Sequence, residues 1–106
     1  MVYFFGHLDE ELRKAPVFVL IFHATWCLPC RKIEQPFKEF MKDFEDVTFG
    51  SVDIDNCKDL PEKYEITVVP TFIVFKKGEI IEIIIGTSLK SVRKAISLAE
   101  DVESAA

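Results

Sequence analysis

No segment of this 106-residue chain reaches the roughly 18 consecutive apolar residues of a membrane span. The opening run, Met1-Val2-Tyr3-Phe4-Phe5-Gly6-His7, lacks the basic stretch and long apolar core of a secretory signal. Lysine and arginine number 13 against 18 acids, with no basic stripe, so nucleic-acid binding has little support. The net charge of −5 mainly favours solubility. Three cysteines are an odd number, too few and too unevenly placed for a disulfide scaffold. No repeat, linker or low-complexity segment divides the chain. These absences leave one small domain, residues 1–106, expected in a reducing, cytoplasmic compartment without membrane contact.

Apolar material is plentiful. Hydrophobic residues make up 49% of the chain and include ten phenylalanines, enough for one well-filled core. Met1 to Phe5 reads as a short strand, and His7 to Lys14 as a weak helix with Leu8 and Leu12 four apart, ended by Pro16. Val17 to His23 is almost wholly apolar, the mark of a strand buried on both faces. From Pro29 to Phe44, Ile33, Phe37, Phe40, Met41 and Phe44 recur at helical spacing, with Pro36 placed to kink the helix. Val47 to Ile54 reads as a strand and Asn56 to Lys63 as a short polar helix or turn. Thr71 to Phe75 and Ile80 to Ile85 are apolar runs joined by the hairpin signal Lys76-Lys77-Gly78-Glu79. Ser88 is placed to cap a last helix with Leu89, Val92, Ile96 and Ala99 on one face, and the tail from Glu100 to Ala106 is expected to fray. The order β-α-β-α-β-α-β-β-α predicts an α/β domain: a mixed sheet, parallel early and antiparallel late, with helices on both faces.

The chemistry concentrates in Trp26-Cys27-Leu28-Pro29-Cys30. Thiol–disulfide exchange needs one thiolate that attacks and a second thiol near enough to resolve the mixed disulfide. A two-residue spacing lets both sulfurs meet in the first turn of a helix. Cys27 falls at the N-terminal edge, where unpaired N–H groups and the helix dipole favour a negative sulfur. Cys30 falls one turn deeper and is expected to be less exposed. Cys27 is thus the attacking thiol and Cys30 the resolving one. Pro29 suits the first turn, where its missing N–H costs nothing. The competing reading is a structural zinc site, with Cys57 and either His7 or His23 completing a ligand set. No finger-like spacing pairs Cys57 with a histidine, so no metal is expected.

Ala24-Thr25-Trp26-Cys27-Leu28-Pro29-Cys30-Arg31-Lys32 resembles the thioredoxin signature A-x-W-C-G-P-C-[KR]. The resemblance spans nearly the whole chain. Pro36 falls where thioredoxins kink their second helix, and Val52-Asp53-Ile54-Asp55 resembles their third-strand ending. Val69-Pro70-Thr71-Phe72 is similar to their [IVT]-P-T-[FL] segment, Phe75-Lys76-Lys77-Gly78 to their hairpin, and Gly86 to a glycine beside the active site. The resemblance implies the thioredoxin fold, with a mixed central sheet of four to five strands flanked by four helices. It implies a cis Val69–Pro70 bond that sets Pro70 against the dithiol and leaves the Val69 backbone to pair with an extended substrate. Trp26 would shield the thiols, beside its other reading as a core aromatic, and Gly86 would keep the groove floor open.

The implied activity is reduction of protein disulfides by a reversibly oxidised Cys27/Cys30 pair with no bound cofactor. Electrons would come from NADPH through a flavin-dependent thioredoxin reductase. The partners are then disulfide-containing proteins and that reductase, and the chain is expected to be a monomer. Two departures stand out. Ile21 occupies the position of a buried acid that relays the resolving thiol's proton, and Ser51 that of its lysine partner, so Cys30 lacks its usual acceptor and resolution is expected to slow. Leu28 replaces glycine, adding exposed apolar surface beside the attacking sulfur and altering potential and partner choice. These departures keep a second function in play, a binding or assembly module with weak or no turnover. An oxidase or isomerase lacks its signal sequence and the usual histidine in the motif, and a glutaredoxin lacks its C-P-Y-C. His23 reads as a satisfied edge residue before a tuner of Cys27. His7 reads as surface, and Cys57 as a packed or idle cysteine before a regulatory one.

Overall fold

The computed structural model describes residues 2–3 and 8–101. Nine elements follow in the expected order: β1 (Val2–Tyr3), α1 (Leu8–Lys14), β2 (Val17–His23), α2 (Leu28–Met41), β3 (Thr48–Asp53), α3 (Asp59–Lys63), β4 (Thr71–Lys76), β5 (Glu79–Ile85) and α4 (Leu89–Asp101). His7, the rest of the first predicted strand and the end of the tail lie outside the described residues.

The five strands form one sheet in the order β1-β3-β2-β4-β5. β3 runs parallel to both β1 and β2, as a helical crossover requires, and the β4–β5 hairpin is antiparallel. β4 also runs antiparallel to β2. The third helix therefore does not build a parallel neighbour; it carries the chain to the far side of β2. The hairpin turns on Lys77 (φ 50°) and Gly78 (φ 86°), two successive positive-φ residues that match the right-handed twist of the flanking strands.

Side-chain alternation divides the interior into two layers. Odd residues of β2 (Val17, Val19, Ile21) face α2 and α4, where they meet Phe37, Phe40, Val92 and Ile96. Even residues (Phe18, Leu20, Phe22) face Leu8 and Leu12 of α1 and Leu60 of α3. β2 is buried on both faces because it sits mid-sheet between these layers. β5 is an edge strand: Ile80, Ile83 and Ile85 are exposed, and Ile84 alone of its residues is fully buried.

Two boundaries differ from the sequence expectation. α2 ends at Met41, three residues before Phe44. Phe44 still closes on Phe40, ring centroids 4.9 Å apart, through turn bonds rather than helical ones. α3 starts at Asp59 because the carboxylate of Asp53 holds a turn first, accepting from the Asp55 N–H at 2.9 Å and the Asn56 Nδ2 at 3.3 Å.

α4 is fixed at both ends. The Ser91 N–H donates to Ser88 Oγ at 3.2 Å, as the sequence position of Ser88 predicts for a cap. Near its other end, Lys76 Nζ donates to the Ala99 carbonyl at 2.6 Å. Replacing Ser88 with alanine is expected to lower stability by about 1 kcal/mol in a denaturant titration, leaving the slope of the transition unchanged.

Candidate functional site

β2 delivers the chain to the site and stops at His23. A turn follows in which the Cys27 N–H donates to the Ala24 carbonyl at 3.2 Å. Cys27 is extended (φ −84°, ψ 107°) and caps α2: its Sγ accepts from the Cys30 N–H at 3.2 Å. Helix capping is normally done by an oxygen. Here a sulfur takes that place, so the dipole and an oriented N–H bear directly on the candidate nucleophile. Pro29 lies in the first turn, where no donor is missed. Cys27 and Cys30 are joined as a disulfide, their Cα atoms 5.3 Å apart.

The second wall comes from the segment before β4. The Val69–Pro70 bond is cis. The Val69 carbonyl oxygen lies 3.5 Å from Cys27 Sγ, and Thr71 Oγ1 donates to the Val68 carbonyl at 2.6 Å, fastening the bend. Gly86 closes this side: its N–H donates to the Pro70 carbonyl at 2.9 Å. Its φ of +110° disfavours any side chain, and a Cβ built there would meet nothing within 4 Å. The sequence reading thus brought together the residues that the fold brings together: Cys27, Cys30, Pro29, Val69, Pro70 and Gly86.

One alternative falls and one expectation is corrected. Trp26 does not follow its second reading as a core aromatic; it is 66% exposed, and its Nε1–H donates to Asp55 Oδ2 at 2.9 Å. Asp55 is the site residue that sequence reasoning missed. Its signal was present in the Asp-Ile-Asp ending after β3, but its pairing spans 29 positions that only the fold closes. Cys30 is also not the more enclosed sulfur-bearing residue. Cys27 is 4% exposed and Cys30 8%, because Ala24, Ile54 and Val69 pack over this pair while Cys30 borders an open cleft beneath α2.

Leu28, 56% exposed, stands beside Cys27 as apolar surface, as expected. With Trp26 and the half-exposed Val68 it rims the sulfur with hydrophobic groups. Ile21 is buried and lies directly opposite Ser51 in the β2–β3 register. Burial pushes the imidazole of His23 below its usual pKa, opposed in part by the carboxylates of Asp53 and Glu34.

The free thiol Cys57 is packed in the α1–α3 layer rather than against the pair. Among the described residues no group of three or more His, Cys, Asp or Glu is placed to hold a metal ion. No helix among them is long and apolar enough to cross a membrane.

A family model described as Thioredoxin matches residues 6–98. A thioredoxin of Echinococcus granulosus is 36% identical over 89 residues, covering 84% of this chain and 83% of that protein. Thioredoxin-1 of Caenorhabditis elegans is 34% identical over 96 residues, covering 89% and 84%. Among solved structures, oxidised mitochondrial thioredoxin 3 of Saccharomyces cerevisiae superposes with a TM-score of 0.86 at 27% identity, covering 92% of this chain and 93% of that one.

Proposed function

The chain belongs to the thioredoxin family and is a thiol–disulfide oxidoreductase, a protein-disulfide reductase, and on that premise we propose how its residues divide the reaction. Cys27, as a thiolate, attacks one sulfur of a substrate disulfide. The substrate's other sulfur leaves and takes a proton, and a mixed disulfide joins Cys27 to the substrate. Cys30 then attacks Cys27 Sγ, the Cys27–substrate bond breaks, and the substrate departs as a dithiol. Two electrons have passed from the pair to the substrate, and the pair is left as the disulfide.

The observation that carries this division is the position of Cys27 Sγ. It receives the Cys30 N–H at the N-terminus of α2, which favours negative charge on that sulfur. It also faces the Val69 carbonyl, at the edge where an extended substrate strand would add. The rim of Trp26, Leu28 and Val68 gives that strand apolar contact without demanding a sequence.

The substrates are disulfide-containing proteins. Electrons return to the pair from NADPH through a flavin-dependent thioredoxin reductase, and the chain works as a monomer in the cytoplasm, carrying no bound cofactor of its own. The buried free thiol of Cys57 suits such a reducing compartment.

Insulin reduction coupled to NADPH oxidation through a thioredoxin reductase tests this reading. NADPH consumption that depends on both the chain and insulin is expected. No turnover with any reductase would assign the chain to a binding or assembly module instead.

A further inference from the structure

The β2–β3 register sets Ile21 beside Ser51 and His23 beside Asp53. These four positions share the α2 face of the sheet, since residues two apart on a strand point the same way. Where the family resemblance places a paired acid and lysine, this chain has a hydrocarbon and a small hydroxyl. A cleft of about 480 Å³ opens there, and its wall includes Ile21, His23, Cys30, Glu34 and Ser51. Cys27 does not line it. A liquid water takes roughly 30 Å³, so the cleft holds several. Ser51 is 2% exposed, and its Oγ is the one buried side-chain polar atom without a hydrogen-bond partner among the described residues. A buried hydroxyl without a protein partner calls for a water, and Ser51 stands in the wall of this cleft.

We propose that His23 is the proton acceptor for Cys30 in the resolution step, reached through water held in this cleft against Ser51. The proposal rests on the division of roles between Cys27 and Cys30 given above. In the mixed disulfide, the Cys30 thiol passes its proton to cleft water, which passes one to a ring nitrogen of His23. The Cys30 thiolate attacks Cys27 Sγ, the new S–S bond forms, and the Cys27–substrate bond breaks. The substrate thiolate leaves and takes a proton from solvent, and His23 later returns its own to solvent. No further oxidant or reductant is needed.

The surroundings suit this use of an imidazole. Burial keeps it unprotonated at neutral pH, ready to accept. Once protonated it faces Asp53 from β3 and Glu34 from α2, both of which favour the imidazolium. Arg31 and Lys38 also line the cleft from α2 and limit that gain. On the other flank of β2 the nearest partner residue is the uncharged Thr71. His23 thus replaces the missing acid from two positions further along the same strand face.

Dithiobis-nitrobenzoate separates the steps, because attack by Cys27 and resolution by Cys30 each release one coloured thionitrobenzoate. Stopped-flow traces are recorded for the reduced chain, His23→Gln and Ser51→Val across pH 5 to 9. In the natural chain the second phase should rise with pH through a midpoint below 6.5, where the imidazole loses its proton, and then level off. In His23→Gln that midpoint should vanish and the second phase slow by about tenfold or more at pH 7, the first phase unchanged; positioned bases typically contribute about 10²–10⁴-fold. Ser51→Val should slow the second phase while keeping the midpoint. A second phase equal in rate and pH profile across the three proteins would overturn the proposal, and so would a natural-chain profile lacking the midpoint. That readout stands even if a variant does not fold. Absence of the first phase in the natural chain would instead remove the underlying division of roles.

Discussion

A Cys27→Ser protein is expected to reduce insulin no faster than the uncatalysed background, while Cys30→Ser is expected to stop halfway. The two outcomes differ because the two sulfurs do different things. A serine hydroxyl at position 27 is not ionised near neutral pH, and the N–H of residue 30 and the α2 dipole cannot lower its basicity enough to change that. No mixed disulfide forms. With serine at position 30 the attack by Cys27 survives, but nothing breaks the bond it makes. The chain should then accumulate as a covalent complex with its substrate, visible as a mass shift on a non-reducing gel and released by dithiothreitol. If Cys30→Ser turned over normally, or if Cys27→Ser trapped the substrate, the assignment of the sulfurs would have to be reversed.

The largest expected loss of stability comes from Phe37→Ala, about 3–5 kcal/mol. Phe37 is buried where α2 crosses the sheet. Its ring lies 5.9 Å from Phe40, 5.7 Å from Phe49 and 5.4 Å from Phe72, the last two edge-on. Removing it deletes three ring contacts at once and leaves a cavity between rigid aromatic neighbours, which relax poorly. Domains of this kind are stable by roughly 5–15 kcal/mol, so about a fifth or more would go. Phe37 also lines the cleft beneath α2, so disulfide exchange should weaken together with the melting temperature. Thermal unfolding followed by circular dichroism measures the first effect. A shift corresponding to less than about 1 kcal/mol would show that the α2 layer is not the stabilising one.

The order of elements was legible because each strand is a short apolar run and each long helix carries a clear stripe. Val17 to His23 could be read as central from its lack of polar alternation, and the dithiol from spacing alone. Other features depend on distance through the fold. The partner of Trp26 lies 29 residues away, so its exposure could not be read from its neighbours. The relative cover of Cys27 and Cys30 depends on Val69 and Ile54, which arrive from other elements. The antiparallel pairing of β4 with β2 is a choice of sheet side, and the hydrophobic pattern of Thr71 to Phe75 fits either. The cleft is the clearest case. Ile21 and Ser51 each read as a lost function, and only the fold shows that both stand in the wall of one cleft.

The outer edge of the sheet has a consequence for a crowded solution. β5 has a neighbour on one side only, and three of its isoleucines, Ile80, Ile83 and Ile85, are exposed. From Ile80 to Ile85 the run is β-branched and apolar with a single interruption, Glu82. Segments of that composition stack into fibrils when nothing charged divides them. Glu82 and, three residues earlier on the same strand, Glu79 put like charge on any two copies that approach edge to edge. Within this apolar run the only charge against stacking is therefore the carboxylate of Glu82. A Glu82→Ile protein would keep its core and its dithiol yet precipitate where the natural chain stays dispersed.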